Sequence, residues 1–230
     1  AKELKDSQKF TKFLTIVLAV GNYLNAKGNK KNAYGFKLAS LHKLKDTKTT
    51  DGKSNLLAYI VEFIEAKHPE LATFYSDMPN VATAKKIGIA QIKDTLSSMK
   101  RETTKLGKTI AVYESATSLE TEDRFLDIMK PFFAKASEAL QNSEEKFEAL
   151  VKQLEELATL YDEDKSMMGN KPEDFFENVD GFFELYKTTK QQIAERKAKE
   201  EEKRKKDAGA AKAKPVVPPR SSSLKESITK

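Results

Sequence analysis

Apolar residues recur through most of the chain at the three- and four-residue spacing of one helix face. Phe10, Phe13, Leu14, Val17 and Leu18 fall at i, i+3, i+4, i+7 and i+8, which predicts a helix over 2–20. Leu56, Leu57, Ile60, Val61, Phe63 and Ile64 predict another over 54–67, with Thr49, Thr50 and Asp51 offering caps. His68-Pro69 ends it, because a residue before proline avoids helical dihedrals. From 81 to 115, Ile89, Ile92, Leu96, Met99, Leu106, Ile110 and Tyr113 alternate at three and four, with Thr103 in one slot. That is a coiled-coil-type seam, on a helix about 50 Å long.

Helices follow over 121–141, kinked at Pro131, and 143–162, with Ser143 as a rough cap. Pro172, Glu173 and Asp174 suit a helix start. Phe175, Phe176, Val179, Phe182, Phe183 and Tyr186 then form an aromatic stripe that reads as core. Past about 190 the chain runs QQIAERKAKEEEKRKKD, a charged helix supported by pairs such as Glu195 with Lys199. Beyond Gly209 the composition predicts disorder. The fold expected is all-α: an elongated multi-helix bundle with a long coiled-coil-like helix and a disordered C-terminal tail. No strand alternation and no solenoid-length repeat is present.

One segment breaks the helical text: GNYLNAKGNKKNAYGFKLASLHKLKDTKTTDGK, residues 21–53. Gly21 is expected to end a buried helix or to permit close helix approach. Asn22 and Asn25 can bond local backbone, and Tyr23 and Leu24 can anchor the connector. Gly35 lets Phe36 turn into the body. Together these residues predict a rigid, small-residue depression where a partner's bulky side chain docks. Lys43, Lys48 and Lys53 recur every five residues, a spacing that turns about 140° per step and does not make one helical face.

Composition narrows the chemistry. There is no Cys and there are two His, His42 and His68, too far apart for a helical ligand pair. No metal or cofactor is expected. No nucleophile elbow, P-loop or zincin motif occurs, and the carboxylates fall on solvated helix faces, so no enzyme is expected. The net charge of +6 fits acidic partners without choosing among them. No membrane span and no signal peptide is read, so a soluble cytosolic or nuclear protein is expected.

The connector and its flank carry a signature. GNYLN, nine residues, GFKLASLHKL, then KDTKTTDGKSNLLAYIVE resembles the formin homology 2 domain of formins, with the Diaphanous and Daam-like branch the most similar. The resemblance implies actin nucleation, movement with filament barbed ends, an antiparallel dimer, and a cytoplasmic place at the actin cytoskeleton. It also implies that a lasso from the partner subunit inserts a Trp into a pocket of the post. By that resemblance, Gly21, Asn22, Tyr23, Asn25, Gly35 and Phe36 form or shape the pocket. Lys43, Lys48 and Lys53 are the implied actin contacts, Lys48 foremost.

The implied layout is a C-terminal formin homology 2 part over 1–193, with the post at roughly 1–80 and a coiled-coil part at roughly 81–193. A charged helical extension over 194–208 and a Pro/Ser tail over 209–230 follow. No lasso or knob is read in this sequence, so weak nucleation is expected of it alone. In the tail, Pro215, Pro218 and Arg220 spell P-x-x-P-x-R, an SH3-ligand pattern, and RSSS suits a basophilic kinase. The rival readings are a basic coiled-coil binder of microtubules or nucleic acid, drawing on the 203–206 KRKK run, and a purely structural helical scaffold. Glu-rich sequence before that run and the lack of aromatics around it make nucleic acid the less favoured partner.

Overall fold

The computed structural model describes residues 1–26, 33–49, 52, 54–116 and 123–212. Eight α-helices run through them: α1 (Lys2–Asp6), α2 (Gln8–Asn25), α3 (Leu56–Lys67), α4 (Val81–Ala84), α5 (Ile89–Ser115), α6 (Phe125–Tyr161), α7 (Lys165–Asn170) and α8 (Pro172–Lys212). Short 3-10 turns cover Leu38–Leu44, Pro69–Leu71 and Phe74–Asp77. No β-strand occurs among the described residues, so the fold is all-α as the periodicity predicts.

Several boundaries differ from the sequence expectation. The predicted helix over 2–20 is two helices, because the Ser7 hydroxyl accepts from the Phe10 amide at 3.2 Å and starts α2 afresh. α2 then continues through Gly21 to Asn25, so GNYLN is helical and Gly21 does not end the helix. The predicted 81–115 helix is interrupted over 85–88, leaving α5 with 27 residues and a length of about 40 Å. The two helices predicted over 121–162 are one, α6. Ser143 does not cap it; its hydroxyl donates back to the Ala139 carbonyl at 2.8 Å, a bond compatible with the helix interior. Pro131 falls in the second turn of α6 without ending it.

The core is aromatic. Phe13 stacks on Phe74 at 4.4 Å between ring centroids, and Tyr186 meets Phe74 edge-on at 5.0 Å. Phe10 meets Phe183 edge-on at 5.5 Å. The stripe of α8 from Phe175 to Tyr186 is buried as expected, down to 0% exposure at Tyr186. This cluster draws on α1 to α4, the 3-10 turns, Ile89 at the start of α5, the end of α6, α7 and α8. Truncating one of its rings to Ala costs roughly 3–5 kcal/mol.

α8 is tied down at its flank as well. Asp180, 5% exposed, is paired with Lys85. Arg196 reaches Glu62 at 2.8 Å, and Lys197 lies 3.9 Å from both Glu62 and Glu65. Ile193 is its last buried residue, and every side chain described from Ala194 to Lys206 is exposed.

α5 and α6 form an antiparallel hairpin. Lys100 pairs with Glu144 at 2.9 Å and Glu114 with Lys130 at 2.6 Å, and Tyr113 packs on Phe125 at 4.5 Å. The seam is thin: Ile110 and Leu140 are buried, but Leu96, Leu106 and Tyr113 are half-buried and Met99 is exposed. Gly107 permits the approach, since a Cβ there would meet the Phe133 ring at 3.0 Å.

Candidate functional site

The last turns of α2 carry Gly21, Asn22 and Asn25. Opposite them run Ala33 to Phe36 and the 3-10 turn containing Leu41 and Leu44. Between lies a cavity of about 180 Å³ lined by Gly21, Asn22, Asn25, Gly35 and Phe36 among others. Asn22 closes it. Its side-chain amide donates to the Ala33 carbonyl at 2.9 Å, and its carbonyl oxygen accepts from the Ala33 amide at 2.8 Å. A Cβ at Gly21 or Gly35 would meet nothing within 4 Å, so neither glycine serves a close helix approach. A second cavity of about 580 Å³ shares Leu18, Gly35 and Phe36 with the first. The Lys37–Asp162 ion pair, 2.9 Å long, sits on its lip, and that hydrogen bond raises the Lys37 pKa.

Tyr23 is not in this cavity. It is 72% exposed on another side of α2, and Leu24 is 50% exposed. Neither anchors the connector as the sequence reading expected. One residue along a helix turns about 100°, which sends Tyr23 away from Asn22.

Tyr23 instead joins Lys48. A groove of about 570 Å³ runs between α2 and α3, lined by Val20, Tyr23, Leu24, Leu56 and Tyr59, with Thr47 to Thr49 at one end. Lys48 forms an isolated antiparallel bridge with Asn55, and the Leu56 amide donates to the Thr47 carbonyl at 2.8 Å. The Thr49 amide donates to the Ser54 carbonyl at 3.0 Å, and the Ser54 amide donates to the Thr49 hydroxyl at 3.1 Å. Gly52 takes φ of 67°, where a Cβ is strained. Asn55 caps α3 by accepting from the Ala58 amide at 2.9 Å, in place of the Thr49, Thr50 and Asp51 expected there. Thr50 and Asp51 lie outside the described residues.

Lys43, Lys45 and Lys48 are exposed, and none makes an ion pair with another described residue. Lys53 lies outside the described residues. Lys43 belongs to the 3-10 turn, which His42 fastens to α8. The His42 Nε2 donates to the Asn178 carbonyl at 2.9 Å, and its ring meets Phe182 edge-on at 6.3 Å. Gly181 gives it room, a Cβ there lying 3.3 Å from His42 Cε1. Sequence reasoning missed this role of His42 and missed Tyr59. Tyr59 was detectable as an aromatic off the buried stripe of α3.

The other sequence candidates fare differently. In the charged end of α8, Lys205 pairs with Glu201 at 2.7 Å and Lys206 with Glu202 at 2.6 Å, so half of the KRKK run is already neutralised. Glu195 accepts from Gln191 at 2.9 Å. Pro215, Pro218 and Arg220 lie outside the described residues. Among the described residues no cluster of potential metal ligands occurs, and no helix is long and apolar enough to cross a membrane.

Comparison with known proteins adds the family. The model of the Formin Homology 2 Domain matches residues 1–187. The chain is 32% identical over 200 residues to Protein diaphanous homolog 3 of Homo sapiens, covering 86% of this chain and 16% of that protein. It is 30% identical over 213 residues to Formin-F of Dictyostelium discoideum, covering 92% and 17%. Disheveled-associated activator of morphogenesis 2 of Mus musculus is 29% identical over 203 residues, covering 87% and 18%. The chain thus spans less than a fifth of the length of these relatives. The family match takes in the cavity, the lysine-bearing turn, the hairpin and the aromatic face of α8, and the chain belongs to the Formin Homology 2 Domain family.

Proposed function

We propose that these residues are an actin-binding part of a formin, in which Lys48 and Lys43 contact actin and the Asn22 cavity receives a side chain from a partner subunit. The observation that carries this reading is Lys48 itself: exposed, without an ion pair among the described residues, and fixed by its bridge to Asn55 within a matched formin homology 2 domain. Actin is acidic, so cations held in place steer its approach and add charge pairs at the rim. Each exposed pair contributes about 0.2–1 kcal/mol, so several act together and salt weakens them.

The cavity fits the second half of the proposal. Its walls are apolar on the Val17, Leu18, Phe36 and Leu41 side and amide-lined at Asn22 and Asn25. That mixture suits an aromatic ring with one polar edge, as a lasso Trp offers. The 230 residues contain no Trp, so the inserted ring comes from outside them. On this reading the post spans roughly 1–80, the coiled-coil part 81–193, and nucleation with barbed-end tracking belongs to the dimer. A pyrene-actin assay tests it: the 230 residues alone nucleate weakly, and robust nucleation at low concentration would contradict the proposal.

A further inference from the structure

We infer that the groove between α2 and α3 is a second half of the Lys48 contact, seating a short apolar segment, such as one turn of helix, that projects from an acidic face of actin. The inference rests on the reading of Lys48 as an actin contact and extends it from charge to shape.

Three large side chains are left exposed around this one groove: Tyr23 at 72%, Leu24 at 50% and Tyr59 at 51%. The neighbouring stripe residues of the same helices, Val17 and Ile60, are 6% and 0% exposed. The sequence therefore spends apolar surface here that the core does not use. Tyrosines suit a contact surface, because each offers a rigid amphipathic ring with few rotors to freeze. At about 570 Å³ the groove exceeds what one aliphatic side chain needs and lies in the range of formed binding pockets.

Charge chooses the occupant. Lys48 lines the groove, and Lys43 and Lys45 lie within five residues of it in the chain. All three are exposed and lack ion pairs among the described residues, against one described carboxylate in the same stretch, Asp46. A cationic rim around an apolar floor matches a segment whose apolar residues are flanked by acidic ones. Nucleic acid fits less well, since Val20, Leu24 and Leu56 offer a phosphate backbone nothing.

The two halves respond differently to salt. Charge pairs at the rim are screened over about 8 Å at physiological ionic strength, whereas apolar burial is not. The 230-residue chain is cosedimented with actin at low and at high salt. It is compared with Leu24→Ser/Tyr59→Ser, Tyr23→Ser and Lys48→Asp, each checked for an unchanged melting temperature. All three substituted side chains of the groove are at least half exposed, and Tyr23→Ser keeps the test available if the double variant unfolds. The expected result is about a tenfold loss of affinity for the double variant at both salts. A smaller loss in the same direction is expected for Tyr23→Ser. The Lys48→Asp loss shrinks as salt rises.

Groove variants that bind like the unaltered chain, while Lys48→Asp is weakened, overturn the inference and leave the proposed function standing. If Lys48→Asp also binds normally, or the unaltered chain does not bind, the proposed function falls and takes the inference with it. If the groove variants instead abolish self-association in sedimentation velocity without changing actin binding, the groove is an interface between copies and the inference is overturned.

Discussion

Lys48 faces Asn55 across a single antiparallel bridge, and Asn55 is also the residue that caps α3. One residue therefore holds the start of a core helix with its side chain and the position of an exposed cation with its backbone. Replacing Asn55 by Ala removes the cap and is expected to cost about 1 kcal/mol in urea unfolding. The backbone bridge to Lys48 and the bond from the Leu56 amide to the Thr47 carbonyl do not involve the Asn55 side chain, so actin binding is expected to stay close to that of the unaltered chain. Clearly weaker actin binding by Asn55→Ala would show instead that the Lys48 turn depends on the Asn55 side chain.

The Asn22 amide holds both polar groups of Ala33, eleven residues on. Asn22→Ala loses two hydrogen bonds between exposed groups, worth about 1–2 kcal/mol together. The larger expected effect is on docking, since the bond closes the wall of the cavity. A lasso segment of a formin homology 2 domain, titrated by calorimetry, should bind the variant more weakly than the unaltered chain.

A half-buried and a buried tyrosine, Tyr161 and Tyr186, lower stability at alkaline pH. Burial pushes the Tyr161 hydroxyl up to about 12 from its ordinary 10, and it donates to the Leu4 carbonyl at 2.9 Å. Burial, then Glu65 and Tyr75, push Tyr186 up further. Each folded pKa lies above the unfolded one, so the contribution is complete below pH about 10 and falls as pH rises toward the folded value. From Tyr161 the full loss is on the order of 2–3 kcal/mol. Urea unfolding from pH about 8 upward should show the decline, and Tyr161→Phe should flatten it. The Tyr186 hydroxyl is buried with no hydrogen-bond partner among the described residues, so Tyr186→Phe should leave stability at neutral pH unchanged or raise it.

The charged end of α8 contributes little to the core. Beyond Lys197 its described ion pairs are local, Lys205 with Glu201 and Lys206 with Glu202, each worth about 0.3–0.5 kcal/mol to the helix alone. A chain ending at 197 is expected to melt like the full one by circular dichroism. A chain ending at 180 loses Phe182, Phe183 and Tyr186 and should not fold.

The aromatic face of α8 was legible from spacing because a buried stripe repeats every three or four residues whatever it packs against. Helix ends were less legible. Gly21 reads as a stop, yet α2 runs through it to Asn25, while Asn22 finds its partner across the connector at Ala33. The break at Ser7 depends on one hydroxyl accepting one amide, and serines elsewhere, such as Ser143, bond backward inside a helix instead. The site divided for the same reason. Treated as a connector, GNYLN had no faces; as a helix it directs Asn22 and Asn25 to the cavity and Tyr23 to the groove beside Lys48. His42 gained its place from α8, which no local pattern encodes, whereas Tyr59 stood off the buried stripe of α3 and only its neighbours across the groove came from α2.

The most direct measurement is the affinity of the Lys48→Asp chain for actin, by cosedimentation at low salt beside a thermal melt. An exposed side chain without an ion pair among the described residues can be reversed in charge without unfolding the protein. Lys48→Asp is expected to keep the melting temperature and to bind clearly more weakly, with the difference narrowing as salt is added. Equal binding by Lys48→Asp and the unaltered chain would contradict the reading of Lys48 as an actin contact.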